Sequence, residues 1–319
     1  MIGSRILVIG GAGFIGSHLV DALIQEEVQE ILIYDDFSRG KRENLRDALR
    51  DSRVKLFEEG GDILHTDLLN RVMEGVDYVF HLAALWLLHC QEFPRAAFEV
   101  NVQGTFNVLE ACVANKVKKL VYSSSASVYG DALQIPMTEE HPFNNKTFYG
   151  ATKIAGEQMC RAFHHRYGLN YVGLRYMNVY GPRQDALGAY TNVLMKALQR
   201  LEQGQSPVIY GDGSQSYDFI HVQDVARANL LALKSQVNDE FVNVGRGMKT
   251  SIRELVEKLA LIAGSNMQPE YRPAEQMFVT HRVGSTQKAE RLLGFKAEIN
   301  LEEGLRSVVE WYRGELQVK

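Results

Sequence analysis

The stretch Ile6-Leu-Val-Ile-Gly-Gly-Ala-Gly-Phe-Ile-Gly-Ser-His18 constrains this chain more than any other. A run rich in Val, Ile and Leu reads as a buried strand, and Phe14 to Ile24 opens an apolar-periodic helix. Three glycines join them. Gly10 permits a sharp strand-to-helix turn, Gly13 lets backbone approach a pyrophosphate with no Cβ in the way, and Gly16 lets the helix pack closely on the strand. The helix N-terminus then offers free N–H groups and the positive end of its dipole to phosphates. A glycine pattern of this kind also arises by chance as an ordinary turn, so its surroundings decide its weight.

A second apolar run, Glu30-Ile-Leu-Ile-Tyr-Asp-Asp36, ends in acid, and Asp35 stands 19 residues after Gly16. A carboxylate there accepts hydrogen bonds from both hydroxyls of an adenosine ribose and repels a 2′-phosphate. NAD is therefore expected ahead of NADP. Arg39, Lys41 and Arg42 follow closely and would soften that repulsion.

The rest of the composition narrows the class. A chain of 319 residues buries a sizeable core as one or two domains. The net charge of −4 gives no electrostatic footprint for nucleic acid. Cys90, Cys112 and Cys160 are widely spaced, which argues against a disulfide framework and against structural zinc, and the nine histidines show no ligand spacing. No metal site is expected. His164 and His165, adjacent on a helical segment, read as surface or helix-end residues. No run is apolar enough to span a bilayer and no signal peptide opens the chain, so a cytoplasmic protein without a membrane partner is expected.

Strands are expected over Arg5–Ile9, Glu30–Asp35, Val54–Glu58, Val76–Ala83, Lys119–Ser124 and Asn170–Tyr176. Helices are expected between them at Phe14–Gln25, Thr66–Met73, Arg95–Asn115 and Thr147–Tyr167. Such alternation predicts an α/β fold, a Rossmann-type doubly wound parallel sheet covered on both faces. Further on, Val208–Gly213 reads as strand and turn, Val222–Leu233 as helix and Phe241–Gly245 as strand. Helices are expected near Ser251–Ala263, with Ser251 as N-cap, and Leu301–Arg313. A dinucleotide-binding domain is expected over 1–175 with about 216–245. A smaller mixed α/β substrate lobe takes 176–215 and 246–319. A site between two such lobes belongs at the carboxyl ends of the strands.

The chemistry centres on Val121-Tyr-Ser-Ser-Ser-Ala-Ser-Val-Tyr-Gly130 and Tyr149-Gly-Ala-Thr-Lys153. On a helix Tyr149 and Lys153 share a face. An ammonium and a bound nicotinamidium both favour the phenolate, which draws the tyrosine toward use as a general base. Ser125, at a strand end, would hydrogen-bond the substrate oxygen that Tyr149 deprotonates. Alone, a Tyr-x-x-x-Lys pair is as readily a helix-surface pair; behind a serine-rich strand end and a dinucleotide turn it reads as catalytic.

With these pieces in place the chain resembles the extended short-chain dehydrogenases/reductases, most closely the nucleotide-sugar 4-epimerases of the UDP-galactose/UDP-glucose 4-epimerase type. The resemblance runs nearly the full length. Besides the segments above it rests on Gly61-Asp-Ile63, His81-Leu-Ala-Ala84, Asn101-Val-Gln-Gly-Thr105, Arg175-Tyr-Met-Asn-Val-Tyr-Gly-Pro-Arg183 and Asp218-Phe-Ile-His-Val222. It implies NAD as cofactor, a nucleotide sugar as substrate, and Ser125, Tyr149 and Lys153 as the catalytic triad. It places Asp62 and Ile63 by the adenine, Ala83 and Ala84 beside the pyrophosphate and nicotinamide ribose, and Asn101 in support of the active-site backbone. Phe14, Ile15, Asp36, Ser38, Gly40, Leu82, Ser123 and Tyr176 complete the expected cofactor set. Trp86, Ala126, Asn178, Arg183, Tyr217 and Arg282 join Ser125 and Tyr149 on the substrate side. It implies a homodimer formed by pairing the helices at Arg95–Asn115 and Thr147–Tyr167.

Three departures bear on the substrate. The 4,6-dehydratases of this family place Asp-Glu directly after the catalytic hydroxyl residue, and the decarboxylases place Glu at the second position; here stand Ala126 and Ser127. That leaves base and hydride acceptor, enough for epimerisation at C4 through a 4-keto sugar. Other nucleotide-sugar oxidoreductases on the same fold, and a non-catalytic dinucleotide-binding regulator, are the alternatives. Leu85-Trp-Leu-Leu-His-Cys90 is unusually apolar, and is either a core-facing patch or a reshaped sugar pocket with Trp86 and His89 at its wall. Finally, Tyr217 and Glu275 occupy positions where relatives carry diphosphate-gripping arginines. Either the ligand lacks a conventional diphosphate geometry or Arg183 and Arg282 replace the pair; replacement is the preferred reading.

Overall fold

Along the first strand, β1 (Arg5–Ile9), Ile6 and Val8 enter one core while Leu7 and Ile9 enter another. A strand apolar on both faces must be covered on both, and this one sits inside a seven-stranded parallel sheet. The computed structural model describes residues 1–185, 193–274 and 279–317. The other sheet strands are β2 (Glu30–Tyr34), β3 (Val54–Leu56), β4 (Tyr78–His81), β5 (Lys119–Ser125), β6 (Tyr171–Tyr176) and β11 (Glu240–Val244). Their order is β11-β6-β5-β4-β1-β2-β3. The chain winds one way from β1 to β3 and the other way from β4, so a crevice opens above the carboxyl ends of β1 and β4.

Helices α1 (Phe14–Ile24) and α8 (Val222–Lys234) cover one face through Leu19, Val20, Leu23, Val225 and Ala228. The other face lies under α2 (Thr66–Met73), α5 (Thr105–Ala114) and α6 (Phe148–Tyr167), whose Leu69, Val108, Cys160 and Phe163 are buried there. Short α3 (Leu87–Glu92) and α4 (Pro94–Ala96) follow β4.

A third cluster joins Tyr180, Leu198, Phe219, Leu255, Leu259 and Leu305. It is built from α7 (Val193–Glu202), α9 (Ile252–Ile262) and α11 (Leu301–Gln317), with short pairings among β7 (Asn178–Tyr180), β8 (Val208–Tyr210), β9 (Ser216–Tyr217), β10 (Phe219–His221), β12 (Thr250–Ser251), β13 (Glu270–Arg272) and β14 (His281–Arg282). Helix α10 (Gln287–Leu293) instead packs Ala289 and Leu293 into the first core. Ser251 caps α9 as expected, its hydroxyl accepting from the Glu254 N–H at 3.1 Å.

The expected helix Arg95–Asn115 is not regular. Residues Ala97–Gly104 form a π-helix between α4 and α5. Gly104, at its end, lies close against Ile63: a Cβ there would lie 2.5 Å from Ile63 Cδ1. Of the two- and three-residue strands only β3 and β8 fall in expected segments; the others are too short to show a sequence alternation. Helix α7 also lies outside the expected set, although Leu194, Leu198 and Leu201 recur at helical spacing.

Candidate active site

The glycine turn is built as a phosphate cradle. Gly10 adopts φ +82°, and a Cβ on it would lie 2.7 Å from the Ala83 backbone nitrogen. A Cβ on Gly16 would lie 2.1 Å from the Gly10 carbonyl oxygen, so the helix comes this close to the turn only because residue 16 is glycine. Gly13 differs: its Cβ would meet only the Gly10 oxygen, at 3.3 Å. Its open side faces the crevice, and no side chain caps the start of α1. Bare N–H groups beside a glycine are what a pyrophosphate requires.

A cleft of about 650 Å³ runs from this turn across the ends of β1 and β4. Every residue expected around the cofactor lines it except Asn101. Asp35 lies at one end. Its Oδ2 accepts from the Ala12 N–H at 2.8 Å and Oδ1 from Phe37 N–H at 3.0 Å, while burial raises its proton affinity. Gly40 and Gly61 stay glycine because a Cβ on either would strike Asp35, at 2.6 and 2.0 Å. Asp36 holds Ser38 through both its N–H and its hydroxyl. Of the nearby cations, Arg42 pairs with Glu58 at 2.7 Å, while Arg39 lines the cleft, where it pairs with Asp185 at 3.6 Å and lies 4.0 Å over the Trp86 ring. Lys41 lines the cleft as well.

Asn101 does other work, on the π-helix. Its Oδ1 accepts from the Leu85 N–H at 2.7 Å, and its Nδ2 donates to the Leu85 carbonyl at 3.0 Å and to Thr152 Oγ1 at 3.2 Å. It ties the segment after β4 to α6. A π-turn is a common device at functional sites, and here it carries this tie.

Tyr149 and Lys153 stand one turn apart on α6, and both line the cleft. Ser125 ends β5, and its oxygen accepts from the Ser127 N–H at 3.1 Å. A hydrogen bond with Ser125 favours the Tyr149 phenolate. Lys153 Nζ donates to the Ser123 carbonyl at 2.7 Å and lies 5.7 Å from the Tyr149 ring centre. In the chain by itself the phenol is not drawn down. Burial pushes it up to about 12, against which Ser125, Arg282 and Arg39 pull less strongly. Burial also takes the Lys153 ammonium down to about 8. The cost of burying both groups opposes the draw that Lys153 and a bound nicotinamidium exert on the phenol.

Trp86 lines the cleft at the start of α3. His89 does not; it stacks behind Trp86, with ring centres 4.7 Å apart, while Cys90 is buried beneath. The apolar run thus serves as wall and core at once.

The substrate-side residues separate. Ser125, Ala126, Asn178, Tyr217 and Arg282 lie off the cofactor cleft. Arg183 lines it, and donates to Asp21 on α1 at 2.7 Å. Asn178 and Arg282 meet at Asp218: the Asn178 N–H donates to the Asp218 carbonyl, and the Asp218 N–H to that of Arg282, each at 2.9 Å. The Asp218 carboxylate accepts from the Arg246 and Gly247 N–H groups, both at 2.8 Å. Arg282 is 9% exposed, and burial lowers its guanidinium to about 10 against the pull of Tyr217, Asp131 and Tyr149. Glu275 lies outside the described residues.

Arg39, Asn44, Gln184 and Asp185 also line the cleft, beyond the expected set. For Asn44 a signal existed only in three dimensions, its Nδ2 donating to the Ala12 carbonyl at 2.9 Å. Among the described residues no cluster of His, Cys, Asp or Glu could hold a metal ion, and no helix is long and apolar enough to cross a membrane.

The family model described as the NAD dependent epimerase/dehydratase family matches residues 6–245. The chain is 34% identical to the UDP-glucose 4-epimerase of Mycolicibacterium smegmatis, over 98% of this chain and 100% of that one. It superimposes on a UDP-N-acetylglucosamine 4-epimerase from Methanobrevibacter ruminantium M1, solved in complex with UDP-N-acetylmuramic acid, with TM-score 0.93 and 36% identity. That match covers 99% of this chain and 100% of the other. A dTDP-glucose 4,6-dehydratase from Streptomyces venezuelae, solved with NAD bound, is also similar, with TM-score 0.90 and 30% identity over 98% of each chain. The chain belongs to the NAD-dependent epimerase/dehydratase family of nucleotide-sugar enzymes, and its cofactor is NAD.

Proposed function

We propose that this member of the family inverts C4 of a nucleotide sugar, a UDP-sugar first, through a transient 4-keto sugar. The observation that carries this reading is the pair beside Ser125. Ala126 and Ser127 are both buried, and neither bears a carboxylate.

Bound NAD supplies a hydride acceptor and, once reduced, the donor. Tyr149 takes the proton of the sugar 4-hydroxyl, and Ser125 donates its hydroxyl proton as a hydrogen bond to the same oxygen. Lys153, held on the Ser123 carbonyl, presents positive charge behind the phenol. Tyr149 returns the proton to the 4-oxygen once the other face of C4 is presented, and inversion leaves no net redox change. Arg282 and Asn178 hold the nucleotide end. Two copies pair through α5, α6 and the π-helix, where Phe98, Phe106 and Tyr167 are exposed.

The test is incubation with UDP-, dTDP-, GDP- and CDP-sugars, with NMR of the products. A C4 epimer with no accumulated reduced cofactor is the expected result. A 4-keto-6-deoxy or decarboxylated product overturns the epimerase reading in favour of another reaction of the family. Bound NAD that no nucleotide sugar reduces would leave a regulator.

A further inference from the structure

Glu157 follows Lys153 by one turn of α6 and Tyr149 by two. It is fully buried. Its Oε1 accepts from Ser124 Oγ at 2.6 Å and from Arg175 Nε at 2.8 Å, and its Oε2 from Arg175 Nη2 at 2.7 Å. Arg175 lies on β6 and is buried too; its Nη1 donates to the Tyr129 hydroxyl at 2.8 Å and the Glu139 carbonyl at 3.0 Å. The carboxylate therefore ties the helix that carries Tyr149 and Lys153 to β6, and to the residue next to Ser125 on β5.

A buried ion pair is a poor device for stability alone, because desolvation offsets its attraction and apolar residues of like volume pack as well. What a bidentate fork adds is direction. It fixes where α6 stops along the strands, and so where the phenol meets Ser125.

We propose that Glu157 is a positioning residue for the Ser125, Tyr149 and Lys153 set: clamped by Arg175 and Ser124, it holds α6 in register with β5 and keeps a carboxylate behind Lys153. This rests on the catalytic reading above. Lys153 is faced by Tyr149, Glu157 and Cys160 from its own helix, Cys90 from α3, Tyr122 from β5 and His81 from β4. Burial raises both thiols and the Tyr122 phenol and lowers His81 to about 3, which keeps all four neutral near pH 7. Glu157 is the one carboxylate in that set, and it opposes the burial that lowers the ammonium.

The test uses the NAD-loaded protein and Glu157→Gln. Two things are measured: kcat and KM on the nucleotide sugar, and the pH at which Lys153 titrates, followed by NMR of carbon-13-labelled lysine and assigned with Lys153→Arg. The expected result is a kcat loss of about 10-fold or more with KM changed less than about threefold. The Lys153 midpoint moves to lower pH, because the ammonium loses its carboxylate and gains an unbalanced guanidinium nearby. The double variant Glu157→Gln with Arg175→Met removes that unbalanced charge. It is expected to regain the thermal midpoint but neither kcat nor the Lys153 midpoint, and it serves alone where Glu157→Gln does not fold. Wild-type kcat and Lys153 midpoint in the folded variant, or recovery of both in the double variant, overturns the proposal. The titration needs no substrate. A wild-type protein that turns over no nucleotide sugar defeats the catalytic reading, while the midpoint still decides the clamp.

Discussion

Arg282 stands in register with Tyr217 across the parallel contact of β14 with β9, and its buried Nε has no hydrogen-bond partner among the described residues. A buried guanidinium with an open donor is costly unless an anion completes it. Arg183 already donates to Asp21 at 2.7 Å. We propose that, of the two cations, Arg282 grips the diphosphate.

Arg282→Ala is accordingly expected to raise KM by about 10- to 100-fold, the worth of a charge-assisted hydrogen bond, with a smaller effect on kcat. Steady-state kinetics check this. An unchanged KM for both Arg282→Ala and Arg183→Ala would reopen the diphosphate assignment.

Tyr149→Phe removes the proton acceptor and leaves the ring in the cleft wall. Turnover is expected to fall by about 10² to 10⁴. Bound NAD, measured by absorbance of the denatured supernatant, is expected to match the wild type. Near wild-type turnover would take Tyr149 out of the mechanism.

The protein is expected to purify with NAD(H) rather than NADP(H), because Asp35 is held in the cleft by Ala12 and Phe37 and repels a 2′-phosphate. Mass spectrometry of released cofactor decides it. Mainly NADP(H) would refute the role given to Asp35.

A dimer is expected at micromolar concentration. Phe98 is 52% exposed, Phe106 40% and Tyr167 57%, all on the helices proposed to pair. An apolar helical face of this kind marks an interaction surface. Light scattering that gives a dimer mass, and a monomer for Phe98→Asp with Phe106→Asp, is the expected pair of results; a monomeric wild type counts against the interface.

His18, buried on α1 and 3.0 Å from the Pro182 carbonyl, is lowered to about 4, chiefly by burial. The folded state thus holds it neutral where the unfolded chain, near 6.5, takes a proton. Its contribution is present above pH 6.5 and is lost as pH falls toward 4. At pH 5 the loss is about 2 kcal/mol. Thermal melts at pH 7 and pH 5 are expected to separate further for the wild type than for His18→Gln; equal separations would remove His18 from the acid response.

Much of the cofactor cleft was legible because its determinants are local. Gly10, Gly13 and Gly16 lie within one turn, and Asp35 ends the next strand. Tyr149 and Lys153 share a helix face by spacing alone. Asn101 was legible as a support, but not in its means, because a π-helix has no sequence period distinct from an α-helix at this length. The substrate side was less legible. Arg282 and Tyr217 are brought together by strands of two residues, too short to carry an alternation.

The sequence by itself determined the parallel sheet, the glycine turn, the acid at the end of the second strand and the helix pair of Tyr149 and Lys153. Each follows from short-range constraints: Cβ clashes, strand burial on two faces, and one helical turn. Tertiary structure alone decided the proton affinities and the partners. Burial, which depends on every packed neighbour, pushes the Tyr149 phenol up and the Lys153 ammonium down in the chain alone, against the draw of Lys153 and a bound nicotinamidium toward the phenolate. Likewise Glu157, one charged residue among many on a helix, finds Arg175 and Ser124 only when α6 lies down on β5 and β6, because desolvation and hydrogen-bond direction exist only in the packed chain.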